Sequence, residues 1–250
     1  MDAAGVYGRG AGVVAPRSHC TAAPLHLCNY AALFLCTLAV VSCSSGNEGE
    51  LPLLAAYDFE DGSTEGLAPK VAESWQVTEE DGSTVYRLLK PGEFGEIRAP
   101  SAWSVIAGHD VGSFEFTGRL KCHTEPEILA RDMLVIFHYQ DPIHFYYVHF
   151  SATSDGLHNI IGLVNGADRV KINREPAGQS VFRLTDMEWH DFKVTYDAET
   201  AEIQAFIDDM FTPIVTASDS TLPHGLVGVG SFDDTGSFDD LQLLGEVIGR

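Results

Sequence analysis

From about Leu53 onward, apolar and polar residues alternate in short runs broken by Gly, Asp, Asn and Pro. Between Val111 and Cys122, Phe114, Phe116 and Leu120 fall on one side, and Glu115, Thr117, Arg119 and Lys121 on the other. A period of two is the mark of a half-buried strand, because successive side chains leave opposite faces of the pleat. His190, Phe192, Val194 and Tyr196 alternate with Asp191, Lys193 and Thr195 in the same way. Turn-forming pairs separate the runs: Asp81-Gly82, Asp155-Gly156, Asn165-Gly166 and Asp208-Asp209. The pattern predicts about a dozen strands joined by short loops, which favours an all-β, two-sheet antiparallel jelly-roll sandwich over a parallel α/β fold. One short helical candidate, Glu125 to Arg131, carries Pro126 near its start. The body contains no internal repeat and no linker to a second domain.

The first fifty residues break the pattern. Arg9 and Arg17 are the only charges between Asp2 and Glu48, and an apolar stretch from Tyr30 to Val41 runs into Ser42-Cys43. It is shorter than the roughly 20 residues that span a bilayer and suits the hydrophobic region of a signal peptide. Val40-Val41-Ser42-Cys43 resembles the bacterial lipobox, in which the cysteine is lipidated and becomes the new N-terminus. The expected division is a signal peptide over 1–42, a flexible tether over 43–52 beginning at the lipidated Cys43, and a sandwich over 53–250. The chain is accordingly expected to be exported to the cell envelope and to meet the membrane only through that lipid. A buried core helix, or an uncleaved anchor that ends in Cys, is the alternative reading of the same tract.

Charge and cysteine usage narrow the partners. With 15 basic and 36 acidic residues the net charge is −21, so a nucleic-acid backbone, which needs a basic patch, is excluded as an expected partner. Cys20, Cys28 and Cys36 precede the lipobox, leaving Cys122 alone in the body. That count rules out an intramolecular disulfide or a cysteine metal site there, and Cys122 reads as a packed, inert thiol.

Several motifs occur in a telling order. Tyr57-Asp58-Phe59-Glu60-Asp61-Gly62 opens the body, Trp189-His190-Asp191-Phe192-Lys193-Val194 follows, and then the hairpin Ile203 to Ile214 around Asp208-Asp209. Gly225-Leu226-Val227-Gly228-Val229-Gly230-Ser231-Phe232 and Phe238-Asp239-Asp240-Leu241 close it. This order resembles the concanavalin A-like lectin/glucanase superfamily, including laminin-G-like modules and bacterial domains grouped with 3-keto-disaccharide hydrolases. The resemblance implies a jelly roll that meets carbohydrate on a sheet face. It also implies a structural Ca²⁺ tying the first and last strands, for which Asp58, Glu60 and Asp240 occupy the matching ends. It leaves function open, because the fold hosts lectins, hydrolases, lyases and adhesion modules.

The glucanases of that superfamily carry paired acids at alternate positions of one strand, and no such run exists here. The central strands carry His, Tyr and Gln instead. Leu134 to Gln140 and His144 to Ser151 are expected to form a hairpin through Asp141-Pro142. Val135, Phe137 and Tyr139 are expected to face the core together with Tyr146, Val148 and Phe150. Strict alternation then places His138, Gln140, Tyr147 and His149 side by side on the other face. His158 and Asn159 follow, then Arg169, Lys171 and Asn173 at alternate positions. Aromatic rings stack on apolar sugar faces, while Asn, Gln, Arg and Lys bind hydroxyls, carboxylates or sulfates. The leading expectation is a tethered carbohydrate-binding module using His138, Gln140, Tyr147, His149, His158, Asn159, Arg169 and Lys171. The alternative is a lyase or disaccharide hydrolase with Tyr147 or His149 as base, and a third reading is a laminin-G-like structural or protein-binding module. Trp75 and Trp189 read as packing residues; Trp103 reads as a loop residue able to serve as a stacking platform, with core packing its favoured role.

Overall fold

The computed structural model describes residues 50–173 and 184–249. Its strands, in chain order, are β1 (Leu53–Tyr57), β2 (Leu67–Pro69), β3 (Trp75–Glu80), β4 (Ser83–Leu88), β5 (Ala102–Cys122), β6 (Asp132–Asp141) and β7 (His144–Ser151). They continue with β8 (Ile160–Asn165), β9 (Val170–Lys171), β10 (His190–Asp197), β11 (Glu202–Ile207), β12 (Val215–Ser218), β13 (Gly225–Ser231) and β14 (Gly236–Val247). The helical candidate at 125–131 is instead two successive tight turns, closed by Ile128 N donating to Glu125 O and Arg131 N to Ile128 O. No helix among the described residues is long and apolar enough to cross a membrane.

All pairings are antiparallel, and the strands form a two-sheet sandwich held together by one long strand. The first half of β5 pairs with β2 and β13, and the first sheet continues through β6, β7 and β8 to β9. The second half of β5 pairs with β10 and β14; β11 and β12 extend that second sheet on one side, β1, β4 and β3 on the other. The Asp81-Gly82 turn joins β3 to β4 with both residues at positive φ, 51° and 88°, as a two-residue hairpin needs.

The main core fills the space between the sheets. Phe114, Phe116, Phe192 and Val194 of the second sheet face Met133, Val135, Tyr146, Val148 and Phe150 of the first. Trp75 belongs to it and stacks on Tyr86 at 4.6 Å. Trp189 is half-buried beside the second sheet, with the Arg119 guanidinium 5.0 Å from its ring. Cys122 is free and fully buried, and burial pushes its thiol up from its ordinary value, consistent with a packed thiol.

A second apolar cluster lies on the opposite face of the first sheet. Leu134, Ile136, Phe145, Tyr147, Ile160 and Val164 meet Trp103, Val105, Ala99 and Phe232 there. The segment before β5, carrying Ile97 and Ala99, packs over it. The face expected to meet carbohydrate is thus covered by apolar packing. Trp103 lies in β5 rather than in a loop, and it packs in the core, the favoured role.

Candidate functional site

The strict alternation assumed for β6 fails at one residue. The pairing register of β6 against both β7 and β13 shifts after Phe137, and His138 has a φ of 46°. A bulge of this kind inserts an extra residue and reverses the facing of everything beyond it. His138 therefore turns into the main core, edge-on to Tyr196 at 4.3 Å, with Nδ1 2.7 Å from Leu222 O and Nε2 3.0 Å from Gly112 O. Burial pushes the pKa of its imidazole down. Tyr139, expected in the core, joins the second cluster against Trp103 and Phe145. Gly225 permits the bulge: a Cβ there would stand 2.3 Å from the His138 carbonyl carbon. Gln140 stays at the surface and donates to His224 O at 3.1 Å.

Tyr147 and His149 do share a face, but a covered one. Tyr147 is fully buried and His149 is 2% exposed. Burial pushes the Tyr147 phenol up to about 12. A lyase base must touch the substrate to take its proton, and neither buried residue is open to one. Asn159 is turned inward as a clasp of the loop after β7. Its Oδ1 accepts from Ser151 N, and its Nδ2 donates to Ser151 O, Thr153 O and Ser154 Oγ. His158 is held by Asp155 at 2.9 Å and packs on His149 with ring centroids 5.2 Å apart. Lys171 is half-buried in β9 opposite Gly162, and Asn173 Oδ1 accepts from Ile161 N.

What gathers around Tyr147 and His149 is a polar cluster at the end of the first sheet. Phe232, just past β13, contacts both rings at 5.4 and 5.2 Å. The guanidinium of Arg169 lies 4.2 Å from the Phe232 ring and that of Arg98 lies 5.5 Å from it. Arg98 also covers the exposed Phe94 at 4.0 Å. Backbone bonds lock the two arginine segments together: Arg169 N donates to Arg98 O, and Arg98 N to Asp168 Oδ1. Asp233 is exposed and lies 3.9 Å from Arg98. Beneath it are two buried acids, Asp132 and Asp234. Asp132 Oδ1 accepts from Ser231 Oγ at 2.8 Å and Phe232 N at 3.0 Å, while Asp234 Oδ2 accepts from Asp132 N at 2.7 Å. Burial, reinforced by the Asp132 charge, pushes Asp234 up to about 6 and raises Asp233 as well.

Of the residues expected from sequence, Tyr147, His149, His158 and Arg169 come together here, whereas His138, Gln140 and Asn159 do not. Arg98, Asp132, Phe232, Asp233 and Asp234 were not anticipated. A faint signal existed in the adjacent acids Asp233-Asp234 after an apolar strand, but their partner Asp132 lies about a hundred residues earlier in sequence.

Of the expected calcium ligands, Asp58 and Asp240 line one surface pocket, whereas Glu60 is engaged elsewhere. Glu60 turns to the β3–β4 hairpin, where its carboxylate accepts from Thr84 N and from the Ser83 and Thr84 hydroxyls. Asp240 pairs with Arg119 at 3.0 Å, and Asp58 accepts from Glu60 N in a local turn. These residues do not fit a shared ion. The three-carboxylate grouping found among the described residues is Asp132, Asp233 and Asp234. Cys43, the signal segment and the start of the tether lie outside the described residues.

The sandwich matches solved structures over most of its length. The Lotus tetragonolobus seed lectin aligns with a TM-score of 0.51 and 11% identity, covering 80% of this chain and all of the lectin. Basic winged bean lectin, solved with Tn-antigen, gives 0.51 and 14%, covering 79% of this chain and all of the lectin. The exoplasmic/lumenal domain of VIP36, in a form bound to Ca²⁺ and Man3GlcNAc, gives 0.51 and 14%, covering 80% of this chain and 92% of that one. The fold is the concanavalin A-like jelly roll. No protein-family model matches the chain, and no curated protein does. The concanavalin A-like scaffold sets the exposed Arg98 and the half-buried Arg169 over the buried ring of Phe232, close to His149, whose Nε2 lies 3.1 Å from Asp132 Oδ2.

Proposed function

We propose that this chain is a glycan-binding module of an exported lipoprotein, and that sugar is held at the rim formed by Arg98, Arg169 and Asp233 over the buried ring of Phe232. The observation that carries this reading is the pair of guanidinium groups set against one aromatic ring beside an exposed carboxylate. Planar guanidinium forks suit carboxylate and sulfate oxygens, the carboxylate suits sugar hydroxyls, and the half-exposed ring of Phe94 offers an apolar face. Fold neighbours that hold Tn-antigen and Man3GlcNAc make carbohydrate the first ligand class to examine. In a chain of net charge −21, two arginines at one rim favour an acidic glycan, such as a uronate or sulfated polymer. Membrane attachment rests on the tract that ends at Cys43.

Affinity electrophoresis against neutral, uronate-containing and sulfated polysaccharides tests the binding. Retardation by an acidic polymer, weakened at least about tenfold in the Arg98→Ala/Arg169→Ala variant, supports it. No retardation by any polymer, or retardation unchanged in that variant, overturns it. Labelling cells with a clickable fatty acid tests the anchor: label incorporated by the parent chain is expected to vanish in Cys43→Ser.

A further inference from the structure

The segment from Gly92 to Ser101 leaves the body of the sandwich and returns to nearly the same point, as a compact surface loop does. Its two ends cross so closely that a Cβ at Gly92 would stand 2.1 Å from Ser101 O, and Gly92 N donates to Ser101 Oγ at 3.1 Å. Lys70, just past β2, closes this neck. Its Nζ donates to Glu93 O at 3.3 Å and to Ser101 O at 2.9 Å, one carbonyl on each side of the crossing. The same ammonium lies 4.4 Å from the Trp103 ring, and Lys70 N donates to Trp103 O at 2.9 Å, which fixes the lysine from behind.

The far side of the loop is clamped independently. Asp168, on the turn between β8 and β9, accepts from Arg98 N at 2.8 Å, and the next residue, Arg169, donates from its N to Arg98 O at 2.9 Å. Ile97 and Ala99, on either side of Arg98, pack into the second cluster. The Arg98 guanidinium lies between two rings, 4.0 Å from Phe94 of its own loop and 5.5 Å from Phe232, contacts that favour a cation. Because the Arg169 guanidinium is 4.2 Å from the same Phe232 ring, the two charges stand no more than about 10 Å apart. Two cations already held at one spacing lose little freedom on binding, and they match a ligand that offers two anionic groups over the same span.

We propose that the rim is a preorganised reader of paired anionic groups, with Lys70 and Asp168 as the residues that position it. This role rests on the rim being a glycan site, and it narrows the ligand to polymers with closely spaced charges, such as neighbouring uronates or a multiply sulfated sugar. Lys70 acts through the neck of the loop and Asp168 through the Arg98 backbone. Asp168 is also a carboxylate beside two arginines, so its two conceivable roles have opposite signs. Removing its charge alone favours an anionic ligand, whereas removing its acceptor releases Arg98 and disfavours one.

The experiment uses the full chain and measures two quantities: backbone hydrogen exchange across residues 92–101 without sugar, and retardation by dextran sulfates and polygalacturonates of graded charge density. Lys70→Met and Asp168→Ala are each expected to speed exchange across the loop at least about tenfold. Both are expected to weaken binding of the most densely charged polymer at least about fivefold, with the thermal midpoint of the sandwich moved by no more than a few degrees. Lys70→Arg, whose guanidinium can reach both carbonyls, and Asp168→Asn, which keeps the acceptor and drops the charge, are expected to restore both readouts. The parent chain is expected to lose affinity abruptly once the charged groups are spaced beyond the span of the two arginines. Exchange unchanged in both Lys70→Met and Asp168→Ala overturns the clamps, whatever the polymers do. Affinity as high in Asp168→Ala as in Asp168→Asn, or retardation that simply follows charge density, overturns the reader. Retardation of the parent chain by none of the polymers overturns the glycan reading and the reader with it, while exchange alone still decides the clamps.

Discussion

At the scale of single residues, the covered face of the first sheet depends on what is absent opposite Tyr147. A Cβ at Gly162 would stand 2.2 Å from the Tyr147 ring carbon that bears the hydroxyl, and 2.4 Å from the hydroxyl oxygen. The ring stands against Gly162 and meets Phe232 edge-on, with centroids 5.4 Å apart. The residue is fully buried. Gly162→Ala is therefore expected to destabilise the protein by about 3 kcal/mol, the upper range for overpacking a filled core, with the loss read from chemical denaturation. A change within 0.5 kcal/mol would show that the Tyr147 ring moves freely and that the cluster is loosely packed. The same neighbourhood shows what a single-residue reading of the sequence can and cannot reach. Tyr147, His149 and Arg169 were legible as one group because alternation and hairpin turns place them on neighbouring strands. Asp132 was not, because its significance comes from Ser231, Phe232 and Asp234, which reach it only through the pairing of β13 with β6.

At the scale of elements, the bulge in β6 and the burial of both faces of β6 and β7 account for most of the difference between pattern and structure. Period-two reasoning holds until His138 and then fails, since no local residue type announces a bulge there. The signal is Gly225 on the neighbouring strand, and it acts through space. The runs Met133 to Phe137 and Phe145 to Val148 are continuously apolar, which in hindsight marks strands covered on both faces rather than one. The second sheet was easier to read, because β5 and β10 keep one polar face. That sheet also carries a testable electrostatic contact between elements. Glu80 at the end of β3 accepts from Ser237 Oγ of β14 at 2.5 Å and lies 2.9 Å from His123 Nε2 and 3.2 Å from Lys121 Nζ. Burial works to raise its carboxyl, but Ser237, His123 and Lys121 outweigh it and hold the pKa below its ordinary value. A carboxyl depressed on folding stabilises the native state above its unfolded pKa, about 4.3, and that contribution is lost as pH falls through the folded value. Glu80→Gln is accordingly expected to cost roughly 1 kcal/mol at pH 7, with the gap to the parent chain closing below about pH 4. Urea melts across pH 3–7 measure this, and a gap that stays constant would show that Glu80 acts by shape alone.

At the scale of the whole molecule, the consequential feature is that β5 belongs to both sheets. Its first half holds β13 and β2, its second half β10 and β14, so neither sheet can lose β5 without opening the other. The main core reinforces the link, since Phe114 and Phe116 of the second sheet pack in the same cluster as Val135, Phe137 and Tyr146 of the first. The sandwich is expected to unfold in one cooperative transition despite having two apolar clusters. Two tryptophans make this measurable. Trp75 sits in the main core against Tyr86, whereas Trp103 lies in the second cluster against Tyr139 and Phe145. Fluorescence melts of Trp75→Phe and Trp103→Phe variants, each made in a Trp189→Phe background and compared with its own far-UV circular dichroism, should give midpoints that coincide within each variant. If the signal remaining in Trp75→Phe, which follows Trp103, moved several degrees below its circular dichroism transition, the covering segment before β5 would be opening on its own. The rim of Arg98 and the buried pair of His149 and Asp132 close to it would then be exposed before the sandwich melts. Coincidence would instead mean that the packing which hides Tyr147 and His149 persists as long as the fold does, and that ligands reach this end of the molecule only from the side of Asp233.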